Sequence, residues 1–249
     1  MKAVILAAGR GSRMGGLTGE RPKCLTPLAG RPLLDWQIDS LRAAGAESIA
    51  VVKGYLADTF SRPGLHEFVN PRWSESNMVV SLSIADPWLS SGTCLVSYSD
   101  IVYRDEIPAR LAGAEGDITI TYDLDWLSLW RDRFEDPLSD AETFVTDDAG
   151  RLLEIGKRAS SVDDIRGQYM GLLRFTPTGW GQVRSYLDRQ TPADRDRMDM
   201  TSLLARLLAE GVRIDTVAVR GGWYEVDTAK DLDLYESRAK SRGGRLWPS

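Results

Sequence analysis

Hydrophobic and polar positions follow two rhythms along the 249 residues. Residues 3–8 (AVILAA) form an unbroken apolar run, the pattern of a strand covered on both faces of a parallel sheet. A glycine-rich loop follows and reaches Pro22. From Pro32, PLLDWQIDSLRAAGA places Leu34, Ile38 and Leu41 at helical spacing, with Gly45 as a stop. Residues 48–52 read as a second buried strand, 77–85 as a helix with Pro87 near its end, 93–98 as a strand ending in Ser99-Asp100, and 117–122 as an alternating strand. The β-loop-α-β order predicts an α/β sheet with helices on its faces.

Beyond 123 the pattern changes. Residues 142–145 and 151–155 flank the turn Asp147-Asp148-Ala149-Gly150 and read as a hairpin. Residues 169–175 form a further strand, 179–187 and 201–210 amphipathic helices, 212–219 a late strand and 228–239 a closing helix. The tail SRGGRLWPS is expected to fray. No repeat, low-complexity tract or linker interrupts the chain. The expectation is one domain: a nucleotide-binding part over 1–122, an acceptor-binding insertion over 123–227 and a C-terminal helix and tail over 228–249.

Composition narrows the function. Apolar residues make up 43% and charged residues 27%, an ordinary globular balance. A net charge of −5 without a basic stripe argues against nucleic-acid binding. Cys24 and Cys94 are too few for a disulfide framework, no apolar run approaches a membrane span, and the first residues do not read as a signal peptide. The expected setting is the cytoplasm, and a homodimer is allowed for.

The loop Leu6-Ala7-Ala8-Gly9-Arg10-Gly11-Ser12-Arg13-Met14 directly follows the first strand. Small residues at 7–9 and 11 let the backbone approach a ligand, and successive N–H groups can form an anion nest. Arg13 and Lys23 add positive charge where a triphosphate would lie. A dinucleotide fingerprint needs glycine where Met14 stands, and a Walker A loop needs a Gly-Lys-Ser/Thr that is absent. Taken alone, the loop is equally a plain tight turn.

With ERPKCLTPLAGRPLL following at the expected spacing, however, LAAGRGSRM resembles the N-terminal signature of the sugar-phosphate and phosphocholine nucleotidyltransferase family. That resemblance implies a Rossmann-like three-layer fold with a mixed, mostly parallel central sheet. It also implies magnesium dependence, and a nucleotide held by Leu6, Ala7, Ala8, Gly9, Gly11, Ser12, Arg13 and Lys23.

Asp100 ends an apolar strand, where a side chain would point into a ligand crevice. By itself such an aspartate is more often a turn residue or cap. By resemblance, Asp100 in Tyr98-Ser99-Asp100-Ile101-Val102 and Asp227 in Trp223-Tyr224-Glu225-Val226-Asp227-Thr228 are the two magnesium ligands. Asp227 could instead cap the last helix, leaving Glu225 as the fallback ligand. His66 lacks partners for a metal cluster.

Trp126, Trp130, Trp180, Trp223, Tyr169 and Tyr224 fall in the second half among Asp123, Asp125 and Glu142. Aromatic faces with carboxylates suit a cationic head group, although the same aromatics suit a core. Asn70-Pro71, Ser76-Asn77 and Ser81-Leu82, followed by the Asp100 segment, look closer to phosphocholine and aminoalkylphosphonate cytidylyltransferases than to hexose-1-phosphate enzymes. By that likeness Asn77 and Ser81 lie near the base of CTP, and Lys157 meets the acceptor's phosphate. Asp125, Trp126, Glu142, Lys157, Tyr169, Trp223 and Glu225 are the expected acceptor contacts, and Arg13, Lys23, Asp100, Lys157 and Asp227 the expected catalytic set. The implied reaction is in-line attack by the acceptor on the α-phosphorus, releasing pyrophosphate. A sugar-1-phosphate nucleotidyltransferase is the close rival and an NAD(P)-dependent oxidoreductase the distant one.

Overall fold

In the computed structural model, which describes residues 1–248, the first apolar run becomes β1 (Lys2–Ala7), and the loop after it runs into a short antiparallel pair, β2 (Pro27–Leu28) and β3 (Arg31–Pro32). The chain then forms α1 (Leu33–Ala43), β4 (Ser48–Lys53), β5 (Leu65–Val69), α2 (Met78–Ile84), α3 (Asp86–Leu89), β6 (Cys94–Tyr98), β7 (Ile101–Tyr103), α4 (Glu106–Ala112) and β8 (Ile118–Asp123). Next come α5 (Trp126–Arg133), β9 (Glu142–Thr146), β10 (Leu152–Arg158), β11 (Gln168–Phe175), α6 (Pro177–Asp188), α7 (Pro192–Arg197) and α8 (Met200–Ala209). β12 (Asp215–Val219), β13 (Trp223–Glu225) and α9 (Ala229–Ser241) complete the chain.

Seven strands form one sheet in the order β12-β8-β11-β6-β1-β4-β5, in which β11 alone runs antiparallel to its neighbours. β1 is flanked on both sides, and Ala3 to Ala7 are all buried, so the segment has to be apolar at every position rather than at alternate ones. One face is covered by Leu34, Ile38, Leu41, Leu111 and Tyr235 from α1, α4 and α9. The other is covered by Leu82, Trp180, Val183, Leu203 and Leu204 from α2, α6 and α8. The result is a three-layer, Rossmann-like arrangement. Because β4 and β6 lie on opposite sides of β1, the chain reverses direction across the sheet there, which opens a crevice at the C-terminal ends of β1 and β6.

The predicted elements all appear, with shifted ends, and the structure adds several. β5 is an edge strand whose polar His66 and Glu67 are exposed, so it lacks the apolar signature of the inner strands. α4 and α5 are short helices between strands. The antiparallel pair β7–β13 joins residues 101–103 to 223–225, a pairing without local signal. The expectation of a frayed tail is corrected: Leu246 is buried, and Trp247 stacks on Tyr224 with centroids 4.7 Å apart. Arg242 also donates to the Tyr224 hydroxyl at 3.0 Å. The glycines suggest mobility, but the two apolar residues after them cover an aromatic surface. Among the described residues no helix is long and apolar enough to cross a membrane, and both cysteines are buried and unpaired.

Candidate active site

Gly11 sits in the left-handed region at φ 66°, and a Cβ there would lie 2.8 Å from Lys23 Cδ. Glycine thus lets the Lys23 side chain lie directly behind the loop. The Thr18 hydroxyl ties the loop back by donating to the Gly11 carbonyl at 3.1 Å. Lys23 itself is 6% exposed, and its ammonium donates to Asp100 Oδ2 and Asp227 Oδ1, each at 2.8 Å. Burial works against the ammonium's charge, but the two carboxylates outweigh it and hold Lys23 above its usual value. Arg13, exposed on the loop, closes an ion pair with the second oxygen of Asp227.

The two aspartates come from residues 127 positions apart. Asp100 follows β6 and Asp227 follows β13. The β7–β13 ladder brings them together, and the Val226 N–H donates to the Asp100 carbonyl at 2.8 Å. The cap of α9 is Thr228, in a reciprocal pair with Asp231, so Asp227 is free of capping duty.

These groups form the inner end of a first chamber. Leu6, Ala8, Gly9, Gly11 and Ser12 make one wall; Trp73, Ser76, Asn77, Met78 and Ser81 make the other. Asn77 caps α2, its side chain accepting from the Met78 N–H at 2.7 Å. Buried Asn70 donates to the Ser81 and Ser76 hydroxyls at 3.0 and 3.1 Å, fixing both in that wall.

A second chamber opens from the first through Arg13, Met78, Tyr98 and Asp227, which line both. Its walls are β9, β11, the start of α8 and Trp130. A bulge in β11 places Gly171 at φ 78°, and a Cβ there would lie 2.6 Å from the Tyr98 ring, so the missing side chain makes room for the tyrosine dividing the chambers. Asp140, Glu142, Asp199 and Glu225 give this chamber an acidic lining. Burial, then the charges of Asp199 and Asp140, push the Glu142 carboxyl above its usual value. Glu225 is pushed up to about 7, chiefly by burial and secondarily by Asp100 and Asp227, against the pull of Arg133. The Arg133 side chain is itself buried, donating to Glu225 at 2.7 Å and Asp231 at 2.9 Å.

Comparison with known proteins decides the family. The MobA-like NTP transferase domain matches residues 3–143. The CTP:phosphoglutamine cytidylyltransferase of Campylobacter jejuni is 34% identical over 94% of this chain and 98% of its own. The chain belongs to the MobA-like NTP transferase family. The 2-aminoethylphosphonate cytidylyltransferase of Lancefieldella rimae is 30% identical over 64% of this chain and 61% of its own. The structure of the CTP:phosphocholine cytidylyltransferase of Streptococcus pneumoniae superposes with a TM-score of 0.71 at 21% identity, covering 95% of this chain and 98% of the other.

In this nucleotidyltransferase Leu6, Ala8, Gly9, Gly11, Ser12, Arg13, Lys23, Asn77, Ser81, Asp100 and Asp227 line the first chamber, whereas Ala7 is buried in β1. Glu142, Tyr169 and Glu225 line the second. The remaining acceptor candidates lie elsewhere. Lys157 stands outside on β10, 70% exposed and paired with Glu154. Asp125 is exposed and bonds Arg220. Trp126 is buried behind Trp130, their centroids 6.0 Å apart, and Trp223 donates to Asp123 at 2.9 Å from within the core. Trp180 packs on the opposite face of the sheet, bonded to Asp86. The second-half aromatics are therefore mostly core, because α5, α6 and β13 turn most of them inward. Trp73, Tyr98, Asp140 and Asp199 are site residues that the sequence reading missed. Asp199 had a local signal, since an aspartate before an apolar helical run is a cap, and it does accept from the Ser202 N–H at 2.7 Å. Nothing local says that it also faces the cleft.

Proposed function

We propose that the protein is a cytidylyltransferase that moves CMP from CTP onto a small acceptor bearing a phosphate or phosphonate at one end and a cationic amine at the other. The observation that carries this reading is the charge of the two chambers: cations and a glycine loop meet a triphosphate in the first, and four carboxylates with Tyr169 and Trp130 meet an ammonium in the second. The full-length similarity to a phosphoglutamine cytidylyltransferase, and the partial one to an aminoethylphosphonate enzyme, support it. Both acceptors named there join an anionic phosphorus group to an amine.

The acceptor oxygen attacks the α-phosphorus in line, the bond to the β-phosphate oxygen breaks and pyrophosphate leaves with the electron pair. An ionised phosphate or phosphonate oxygen needs no general base, so positioning and charge stabilisation supply the rate. Arg13, which lines both chambers, and Lys23, at the inner end of the first, balance the triphosphate charge. Asn77 and Ser81 contact the base, and Glu142 and Asp199 hold the amine.

Asp100 and Asp227 are the residues that would hold magnesium. The fit is good: Asp100 Oδ1 is buried without any hydrogen-bond partner, and Lys23 already shows that a cation is welcome between the carboxylates. Magnesium typically takes one or two carboxylates and completes its shell with water and phosphate. When bound, it would neutralise charge on the α-phosphate and the acceptor oxygen. Unpaired thiols and a nucleotide substrate fit a cytoplasmic setting.

The test is pyrophosphate release with each NTP and magnesium against phosphocholine, 2-aminoethylphosphonate, phosphoglutamine and glucose 1-phosphate. Release with CTP and an amine-bearing acceptor is the expected outcome. Release only with glucose 1-phosphate would overturn the acceptor reading and favour an NDP-sugar synthase.

A further inference from the structure

Gln37 lies on α1, in the layer behind the sheet, and is completely buried. Its amide nitrogen donates to two main-chain carbonyls, that of Tyr98 at 2.9 Å and that of Ile101. These carbonyls bracket Asp100. Both are acceptors only, so the amide must present its NH2 to them, and the orientation of the side chain is fixed by chemistry. Its other atom, Oε1, is left buried with no partner. A methionine or leucine would fill similar space without an orphaned acceptor, so packing does not account for the amide.

The same short loop is held from two further directions. The Ser97 hydroxyl donates to the Tyr98 carbonyl at 2.9 Å and in turn accepts from the Tyr103 hydroxyl at 3.1 Å. The carbonyl of Asp100 accepts from Val226 N–H, one residue before Asp227. Carbonyls 98, 100 and 101 are thus all engaged, while the buried carboxylate oxygen Oδ1 of Asp100 is not.

We infer that Gln37 is a positioning residue for the metal carboxylate: it fixes the turn over residues 98–101, so that Asp100 stays beside Asp227 around the shared Lys23 ammonium, where the two carboxylates would hold a divalent cation. It touches neither substrate nor metal. The inference rests on the reading of Asp100 and Asp227 as the magnesium ligands. Residues that orient metal ligands in this way commonly change metal affinity by about 10- to 100-fold when removed.

The experiment is Mn2+ binding by electron paramagnetic resonance, with Mn2+ alone and with α,β-methylene-CTP, on the full-length wild type and on Gln37→Met, Ser97→Ala and Asp100→Asn. The expected result for Gln37→Met is a Kd for Mn2+ weakened by roughly tenfold or more and a kcat lowered in step. KM for the acceptor stays within about twofold, because the acidic lining of the second chamber comes from Asp140, Glu142, Asp199 and Glu225, none of which Gln37 bonds. Ser97→Ala, which removes one of two donors to the Tyr98 carbonyl, gives a smaller change in the same direction and serves if Gln37→Met fails to fold. A Gln37→Met protein with a lower Tm but wild-type Mn2+ affinity would reduce Gln37 to a structural residue and overturn the inference, as would unchanged Mn2+ affinity in Ser97→Ala if only that variant folds. Equal Mn2+ binding by wild type and Asp100→Asn would instead remove the metal reading on which it rests.

Discussion

The two chambers share Arg13, Met78, Tyr98 and Asp227 but are assembled in opposite ways. The first takes its lining from three short stretches, 6–23, 73–81 and 98–100, with Asp227 as the single distant contribution. It offers small residues, backbone and cations. The second collects side chains from α5, the β9–β10 hairpin, β11, α8 and β13, and offers carboxylates and aromatic rings. A triphosphate can be held by main-chain N–H groups in a loop of fixed spacing, so its site is a local object. The acceptor proposed for the second chamber would be met by side chains, and these are grouped only by the tertiary fold.

The sharpest way to break the comparison is at the residue the chambers share. Asp227 accepts from both Lys23 and Arg13 and stands opposite Asp100. Asp227→Asn should lower kcat/KM by roughly three orders of magnitude, the scale on which charge stabilisation of a transferring phosphoryl group is lost. Circular dichroism should remain unchanged, since Thr228 rather than Asp227 caps α9. Pyrophosphate release within tenfold of wild type would mean that the junction does not hold the reacting groups.

The difference in assembly also explains what could be read in advance. The β1–loop–α1 order and the placing of Gly11, Lys23 and Asp100 at one crevice were legible because strand patterning and a spaced motif are short-range properties. The pairing of β7 with β13, which brings Asp100 to Asp227, was not, since a three-residue ladder spanning more than 100 residues leaves no period in the sequence. The acceptor wall was misread in part for the same reason. Trp126 and Trp223 look like Trp130 in composition, yet only Trp130 reaches the cleft, because α5 turns Trp126 inward and Asp123 holds Trp223 in the core. Asp199, not singled out in the sequence, caps α8, and that helix starts at the chamber wall.

A narrower test separates the chambers. Glu142→Gln and Asp199→Asn each remove a charge from the acidic wall and leave the nucleotide side intact. A hydrogen bond to a charged group contributes about 1.5–3 kcal/mol, so each change should raise KM for an amine-bearing acceptor by roughly tenfold to a hundredfold. KM for CTP should stay within about twofold. Parallel increases in both constants would show that the chambers are not separable.

The acidic wall should also carry a pH signature. Glu142 is pushed above the ordinary value of 4.5 by burial and then by Asp199 and Asp140, so it becomes charged later than an exposed glutamate as pH rises. A cationic acceptor prefers the ionised form, and its KM should fall as pH rises through the window above 4.5. Glu142→Gln should flatten that slope. The sign for stability is opposite. With its folded value raised, the protonated Glu142 favours the folded state below the unfolded value, and that contribution is lost as pH rises through the folded one. A KM that is flat in wild type across the window, or equally sloped in Glu142→Gln, would remove Glu142 from amine recognition.

The smallest effect is expected at Lys157, which resemblance assigns to the acceptor phosphate but which the structure leaves on the outer side of β10, 70% exposed and paired with Glu154. An exposed pair of this kind contributes little. Its main-chain N–H accounts for its one link to the second chamber, donating to the Thr143 hydroxyl at 3.2 Å, and substitution of the side chain leaves that bond in place. Lys157→Ala should therefore change KM for the acceptor by less than about twofold, because in the proposed reading Arg13 and Lys23 are the cations that meet the phosphate. A tenfold rise in KM would mean that the β9–β10 hairpin closes over the bound acceptor and carries Lys157 inward. The acceptor wall would then be completed by the substrate itself, and the contrast between a preformed nucleotide chamber and a side-chain acceptor chamber would become one between a rigid site and a closing one.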